Sequence, residues 1–145
     1  MRKFLSFAGV VSLIASAQVA QANPSNAARS ASAGVDAVVE RHMEAFLRRD
    51  WDKVILDYAD DAVFVLPSGP IEGKPAILAF FHSLDAQKPL PDFKATLVPG
   101  VGNVGLEDWV MNPGKPGSLK GRDVFVIRDG KISVQTTIGL GPAAP

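Results

Sequence analysis

The clearest hydrophobic pattern in the chain lies near its C-terminal end. Leu119, Gly121, Asp123, Phe125 and Ile127 alternate with Lys120, Arg122, Val124, Val126 and Arg128. Period-two alternation predicts a strand with two unlike faces. Asp129-Gly130 follows, a pair that tolerates positive φ and suits a two-residue hairpin turn. Residues 132–138, rich in β-branched side chains, form the expected return strand. One position breaks the pattern. Asp123 shares its register with Phe125 and Ile127, so it is either a surface residue near the turn or an acid aimed into an apolar pocket.

Upstream the period changes to that of a helix. Val35, Val38, Val39, His42, Met43, Phe46 and Leu47 fall on one face, with Asp36, Glu40, Arg41, Glu44 and Arg48 opposite. Asp50 is the expected N-cap of a short second helix with Trp51, Val54, Ile55 and Tyr58 inward. Asp60-Asp61 closes this helical corner. A short hairpin is predicted next, 62–66 and 71–72 around the turn Pro67-Ser68-Gly69-Pro70. Pro75 suits the first turn of a third helix, strongly apolar through Ile77, Leu78, Phe80, Phe81 and Leu84, which Pro89 and Pro91 stop. Strands are expected at 93–98 and 104–111, with 112–117 as a loop. The order is therefore helix, helix, short hairpin, helix, then a four-strand antiparallel meander. That is an α+β arrangement, in which three helices cover one face of a curved sheet and leave a cone with an open mouth.

Composition adds an N-terminal segment to this picture. Arg2 and Lys3, an uncharged apolar run from Phe4 to Ala17, and the tripeptide Ala20-Gln21-Ala22 predict a secretory signal peptide over 1–22. The run is short for a membrane span. A periplasmic or secreted bacterial protein is expected. Residues 23–33 read as a loose leader, 34–139 as one domain and 140–145 as a tail. Without residues 1–22 the chain keeps 13 basic residues against 15 acidic ones. No basic excess points to nucleic acid. There is no cysteine, so neither disulfides nor thiol chemistry contributes. No three-ligand histidine spacing exists, and His82 projects alone from the third helix, so no metal or cofactor is expected. Gly100, Gly102 and Gly105 spell G-x-G-x-x-G, but a strand follows, and a β-turn is the better reading. Arg48-Arg49-Asp50 reads as a solvated helix end, and Asp60-Asp61 as turn and cap residues.

The stretches VVERHMEAFLRRD, DYADDAVFVLPSG, IEGKPAILAFF and GRDVFVIRDGKI together resemble the nuclear transport factor 2-like superfamily. Within it the SnoaL-like branch is nearest, which includes polyketide cyclases and ketosteroid-isomerase relatives. The resemblance spans about Gly34 to Gly139 and implies the cone fold. It also implies roles. In ketosteroid isomerases the first helix presents a tyrosine to the pocket, and His42 stands at that place. Leu66, before Pro67, stands where that family has its aspartate base. Asp123 matches the protonated aspartic acid of the penultimate strand, and SnoaL-type cyclases also carry an acid-base aspartate on the later strands. A fold of this kind hosts both catalysts and non-catalytic binders.

Two functions remain open at this point. One is binding of a small hydrophobic molecule in the cone, against Tyr58, Leu66, Phe81, Trp109 and Phe125. The other is cofactor-free acid-base catalysis of the isomerase, cyclase or dehydratase type on a hydrophobic carbonyl or cyclic substrate, through His42 and Asp123. Histidine exchanges protons near neutrality, and a carboxylate within reach would orient the ring. Alternatively Asp123, desolvated among apolar side chains, becomes a neutral donor. Trp109 shares a face with Glu107 and Met111, and Asp108 with Val110; which of the two faces meets the cavity is left open by the pattern. A homodimer through the uncovered sheet face is the expected assembly.

Overall fold

A computed structural model describes residues 24–87 and 89–143. The signal peptide expected over 1–22 lies outside the described residues. Three helices, α1 (Pro24–Leu47), α2 (Trp51–Leu56) and α3 (Lys74–Leu84), accompany six strands. These are β1 (Tyr58–Leu66), β2 (Gly69–Glu72), β3 (Phe93–Val101), β4 (Val104–Met111), β5 (Leu119–Arg128) and β6 (Lys131–Pro142). They form one curved sheet in the order β2-β1-β6-β5-β4-β3. Every neighbouring pair is antiparallel except β1 and β6, which run parallel. The α+β expectation holds. The meander is β3 to β6, and the short hairpin joins it along β6.

Each boundary has a local cause. The Asp50 side chain accepts from Lys53 N at 3.2 Å and caps α2. Asp129 and Gly130 both take positive φ, 52° and 70°, the pair of conformations a two-residue hairpin turn requires. Pro75 sits in the first turn of α3.

Four boundaries differ from the sequence expectation. The leader expected over 23–33 is helical from Pro24, consistent with its alanines, which favour helix. Tyr58 is not in α2. Asp57 caps that helix, and Tyr58 opens β1 because it pairs in parallel with Ile132, whose N–H reaches Asp57 O at 2.7 Å. Asp60 and Asp61 accordingly lie within β1 and pair with Lys74 and Arg128. The tail expected from 140 is instead the end of β6, where Lys120 pairs with Gly141 and Leu119 with Pro142.

The core lies between α1, α3 and the concave face of the sheet. Val35, Val38, Val39, Met43, Tyr58, Ile77, Phe81, Phe125 and Ile132 are among its buried members. Close approach of α1 depends on Gly105, since a Cβ there would collide with the Val39 side chain. Asp36 ties the same helix to β3 by accepting from Gly100 N at 2.8 Å. At the far end Arg41 donates to the buried Asp57 carboxylate through Nε at 2.8 Å and Nη2 at 2.5 Å, clamping α1 to the junction of α2 and β1. Trp51 stacks on Phe81 (centroids 5.6 Å apart) and donates to Asp85 Oδ2 at 2.8 Å. The cone is thus braced around its rim, and its wide end stays open.

Candidate functional site: the floor of the cone

The interior holds a cavity of about 610 Å³, within the usual range for small-molecule sites. Its walls are apolar and aromatic, including Phe46, Phe64, Phe80, Phe81, Phe93 and Trp109. Polar groups gather on the sheet side: Glu107, Asp123, Gln135 and Thr137, with His42 opposite on α1.

Cross-strand register builds this floor. Glu107 of β4 lies opposite Asp123 of β5, and Asp123 opposite Thr137 of β6. Because side chains directly opposite share a face, all three point inward together. Asp108, one residue on, points out and forms a two-point ion pair with Arg122 at 2.5 and 2.9 Å. Glu107 therefore occupies the inner face of β4.

Three donors converge on Asp123. It accepts from Trp109 Nε1 at 3.0 Å, Thr137 Oγ1 at 2.8 Å and Gln135 Nε2 at 2.6 Å. The Tyr58 hydroxyl donates to Gln135 Oε1 and so holds the amide with its NH₂ toward Asp123. Trp109 is set in place by Gly121, its cross-strand neighbour, where a Cβ would strike the indole ring. Glu107 is 7% exposed and makes no hydrogen bond or ion pair among the described residues.

The two carboxyl groups differ as a result. Burial raises the Asp123 pKa, and the bonds from Thr137, Gln135 and Trp109 oppose that rise. Burial, together with the Asp123 charge, pushes Glu107 up to about 8. Two buried acids side by side do not both ionise readily. Glu107 is the acid that keeps its proton at neutral pH, because it lacks the donors that stabilise the Asp123 carboxylate. Burial and the same two acids also hold the Tyr58 hydroxyl well above its ordinary value, so it remains a donor.

His42 is 2% exposed and is ringed by Tyr58, Phe81 and Phe125 at centroid distances of 5.5, 6.5 and 5.4 Å. Its Nδ1 is buried with no hydrogen-bond partner among the described residues. Burial, then the nearby Arg41 charge, lowers its pKa to about 4, so it is neutral at ordinary pH.

Of the residues singled out from sequence, His42, Leu66, Phe81, Trp109 and Asp123 line the cavity. Tyr58 and Phe125 do not; both are completely buried behind it, Tyr58 orienting Gln135 and Phe125 packing on His42. His42 and Asp123 meet the same cavity, but no hydrogen bond joins them. Glu107, Gln135 and Thr137 were not singled out. The faces of β4 and β5 are fixed by the cross-strand pairing of Asp108 with Arg122, and those of β6 by its register on β5, neither of which the local pattern shows. Arg49, read as part of a solvated end, instead reaches the cavity mouth, where it donates to Pro91 O at 3.3 Å and Asp85 at 3.5 Å. His82 is exposed, as a lone helix-surface histidine should be.

Helices laid into a curved, unclosed antiparallel sheet around such a cavity define the nuclear transport factor 2-like fold. Solved structures similar to the chain agree. An NTF-2 like protein of unknown function from Burkholderia xenovorans LB400 matches with a TM-score of 0.64 at 21% identity, over 79% of this chain and 88% of that one. A protein from Kribbella flavida DSM 17836, provisionally named a ketosteroid isomerase, matches with a TM-score of 0.61 at 19% identity, over 77% and 81%. One from Xanthomonas campestris pv. campestris, provisionally named a polyketide cyclase, gives 0.58 at 23% identity, over 73% and 90%. No curated protein sequence matches the chain. The SnoaL-like domain model matches residues 39–135. The chain belongs to the SnoaL-like domain family.

Proposed function

We propose that this protein is an exported carrier or receptor that binds one small, largely hydrophobic molecule in its cone. The observation that carries this reading is the cavity itself: about 610 Å³, aromatic on most sides, with its buried carboxyl groups together on the floor and further polar groups, Arg49 among them, at the mouth. Burial of an apolar ligand there is favourable in proportion to the area removed from water. The polar floor fixes the orientation. Nile red, which brightens in apolar surroundings, tests it. The protein should enhance its emission, and Ala95→Trp, which fills the cavity from β3, should abolish the effect. Equal emission from the filled variant would refute binding in the cone. Native mass spectrometry of protein purified from its own export route should show a small apolar adduct and a chain that begins after Ala22.

A second reading, acid-base catalysis, rests on the unequal pair on the floor. An ionised Asp123 beside a protonated Glu107 can take a proton from carbon next to a carbonyl while the Glu107 O–H hydrogen-bonds the carbonyl oxygen. Leu66 supplies no base, so Asp123 holds that role and neutral His42 lines the pocket wall. Proton-deuterium exchange at the α-carbon of 2-tetralone, followed by NMR, tests this. Asp123→Asn and Glu107→Gln should each stop the exchange and leave Nile red binding in place. Exchange that persists in both variants would eliminate the reading.

For assembly we propose a homodimer through the outer sheet face. Val98, Leu106, Val124, Thr136 and Val65 form one continuous cross-strand row there. Val101, Val104, Val126, Val134 and Val63 form the next. The Asp108–Arg122 pair beside them carries no net charge, so two copies can meet without repulsion.

A further inference from the structure

The chemistry of the floor limits what the occupant can be. This inference rests on the cone being a ligand site, and it concerns the polar group that ligand carries. The floor's donors converge on Asp123. The Trp109 indole N–H, the Thr137 hydroxyl and one N–H of the Gln135 amide all donate to it. Acceptors are in excess there: the Glu107 carboxyl makes no hydrogen bond among the described residues, and Asp123 and Thr137 keep lone pairs free.

The charge balance points the same way. Two buried acids face the cavity, and among the described residues no lysine or arginine bonds to either of them. A buried carboxylate without a counter-charge is unusual, because removing it from water is costly unless a cation or several donors compensate. Every titratable group near the pair fails to supply one. His42 on α1 is neutral, Tyr58 on β1 is a neutral donor to Gln135, and Arg49 at the mouth is engaged with Asp85 and the Pro91 carbonyl. The walls offer what a cation favours: indole and phenyl faces at Trp109, Phe93, Phe46 and Phe81.

We propose that the cone recognises a protonated amine borne on an apolar, ring-containing body, with the ammonium group between Glu107 and Asp123 and against Trp109. Its N–H donors satisfy the acceptors that the protein leaves free, and its charge supplies the missing cation. Seating it sets the ammonium against the ionised Asp123, whose negative charge it offsets, while Glu107 keeps its proton and accepts through its carbonyl oxygen. Ordinary acids are excluded from the floor by the same charge, and neutral alcohols gain only a single donor.

Calorimetric titration of the full chain with 2-(2-naphthyl)ethylamine, 2-(2-naphthyl)ethanol and 2-naphthylacetic acid tests this. The three share one apolar body. The amine should bind more tightly than the alcohol by about tenfold, the scale of one cation–π or ion-pair contact. The Glu107→Gln/Asp123→Asn double variant, which keeps both side-chain shapes and carries no carboxyl group on the floor, should remove the amine preference while the alcohol still binds. Alcohol or acid binding as tightly as the amine, or an amine preference that persists in the double variant, overturns the amine assignment and leaves the cone as a binding site. Failure of all three probes to bind the wild-type chain overturns the binding function together with this inference.

Discussion

Glu107→Gln tests the electrostatics of the floor in the absence of any ligand. Burial and Asp123 raise the Glu107 pKa from 4.5 to about 8, so the folded state holds a proton that the unfolded chain gives up at lower pH. Between those values the native state binds more protons than the unfolded state. Stability therefore falls as pH rises from 4.5 toward 8, and the loss is complete above 8. A shift of that size corresponds to a ceiling of about 5 kcal/mol, at 1.36 kcal/mol per unit. The cone opens to water, which screens part of this, and about 2 kcal/mol is the effect to expect. Glutamine keeps the shape and never ionises, so the variant should be more stable than wild type at pH 8.5. About 2 kcal/mol corresponds to several degrees in Tm for a domain of this size. Well below pH 4.5 Glu107 is protonated in both the folded state and the unfolded chain, and the difference should shrink toward zero. Thermal unfolding by circular dichroism across this range is sufficient. A constant Tm difference at all pH values, or a variant less stable at pH 8.5, would refute the assignment of a buried, proton-holding Glu107.

Three further outcomes follow from other parts of the molecule. His42 is held neutral with a pKa near 4, so wild-type stability should drop as pH falls from 6.5 through 4; His42→Phe should lessen that acid lability in urea titrations, and a ring resonance titrating at its ordinary value would contradict the burial. Gly105→Ala should cost about 1–3 kcal/mol, since the added methyl collides with Val39 and crowds Val35, and an unchanged urea midpoint would show that α1 does not press on β4. A Leu106→Lys/Val124→Lys double variant, placing charges in the outer apolar row, should convert a dimer to monomers in sedimentation velocity; a wild-type chain already monomeric at micromolar concentration would dispose of the dimer.

The fold was readable wherever one residue pattern had one physical solution. The α1 stripe, the Asp129-Gly130 turn, the Asp50 cap and Pro75 each specify local geometry almost alone. Asp123 was readable as an anomaly because an acid interrupted an apolar alternation. The rest of the floor was not, because it depends on register between distant strands. In β4 both faces carry an acid, Glu107 and Asp108, and only the cross-strand position of Arg122 assigns them. On β6 a bulge between Val126 and Ile127 of the partner strand shifts the pairing and brings Gln135 and Thr137 to Asp123. No local signal announces that bulge. Tyr58 was misplaced because its apolar spacing fits α2, whereas its parallel pairing with Ile132 on β6 holds it in a strand.

The parallel contact between β1 and β6 has a consequence for the life of the chain before it is folded. The strand at the centre of the sheet, flanked by β1 on one side and β5 on the other, is the last one synthesised. Until residues 131–142 are available, the hairpin of β1 and β2 has no sheet to join, and Tyr58 has no strand beside it. Such long-range closure is slow relative to local pairing. The β1–β2 hairpin therefore stays apart from the β3–β5 part of the sheet until residues 131–142 have emerged. Loss of even the final strand would remove the seam between the two halves of the sheet, so truncation at the C-terminus should be far more damaging than truncation of the first turns of α1.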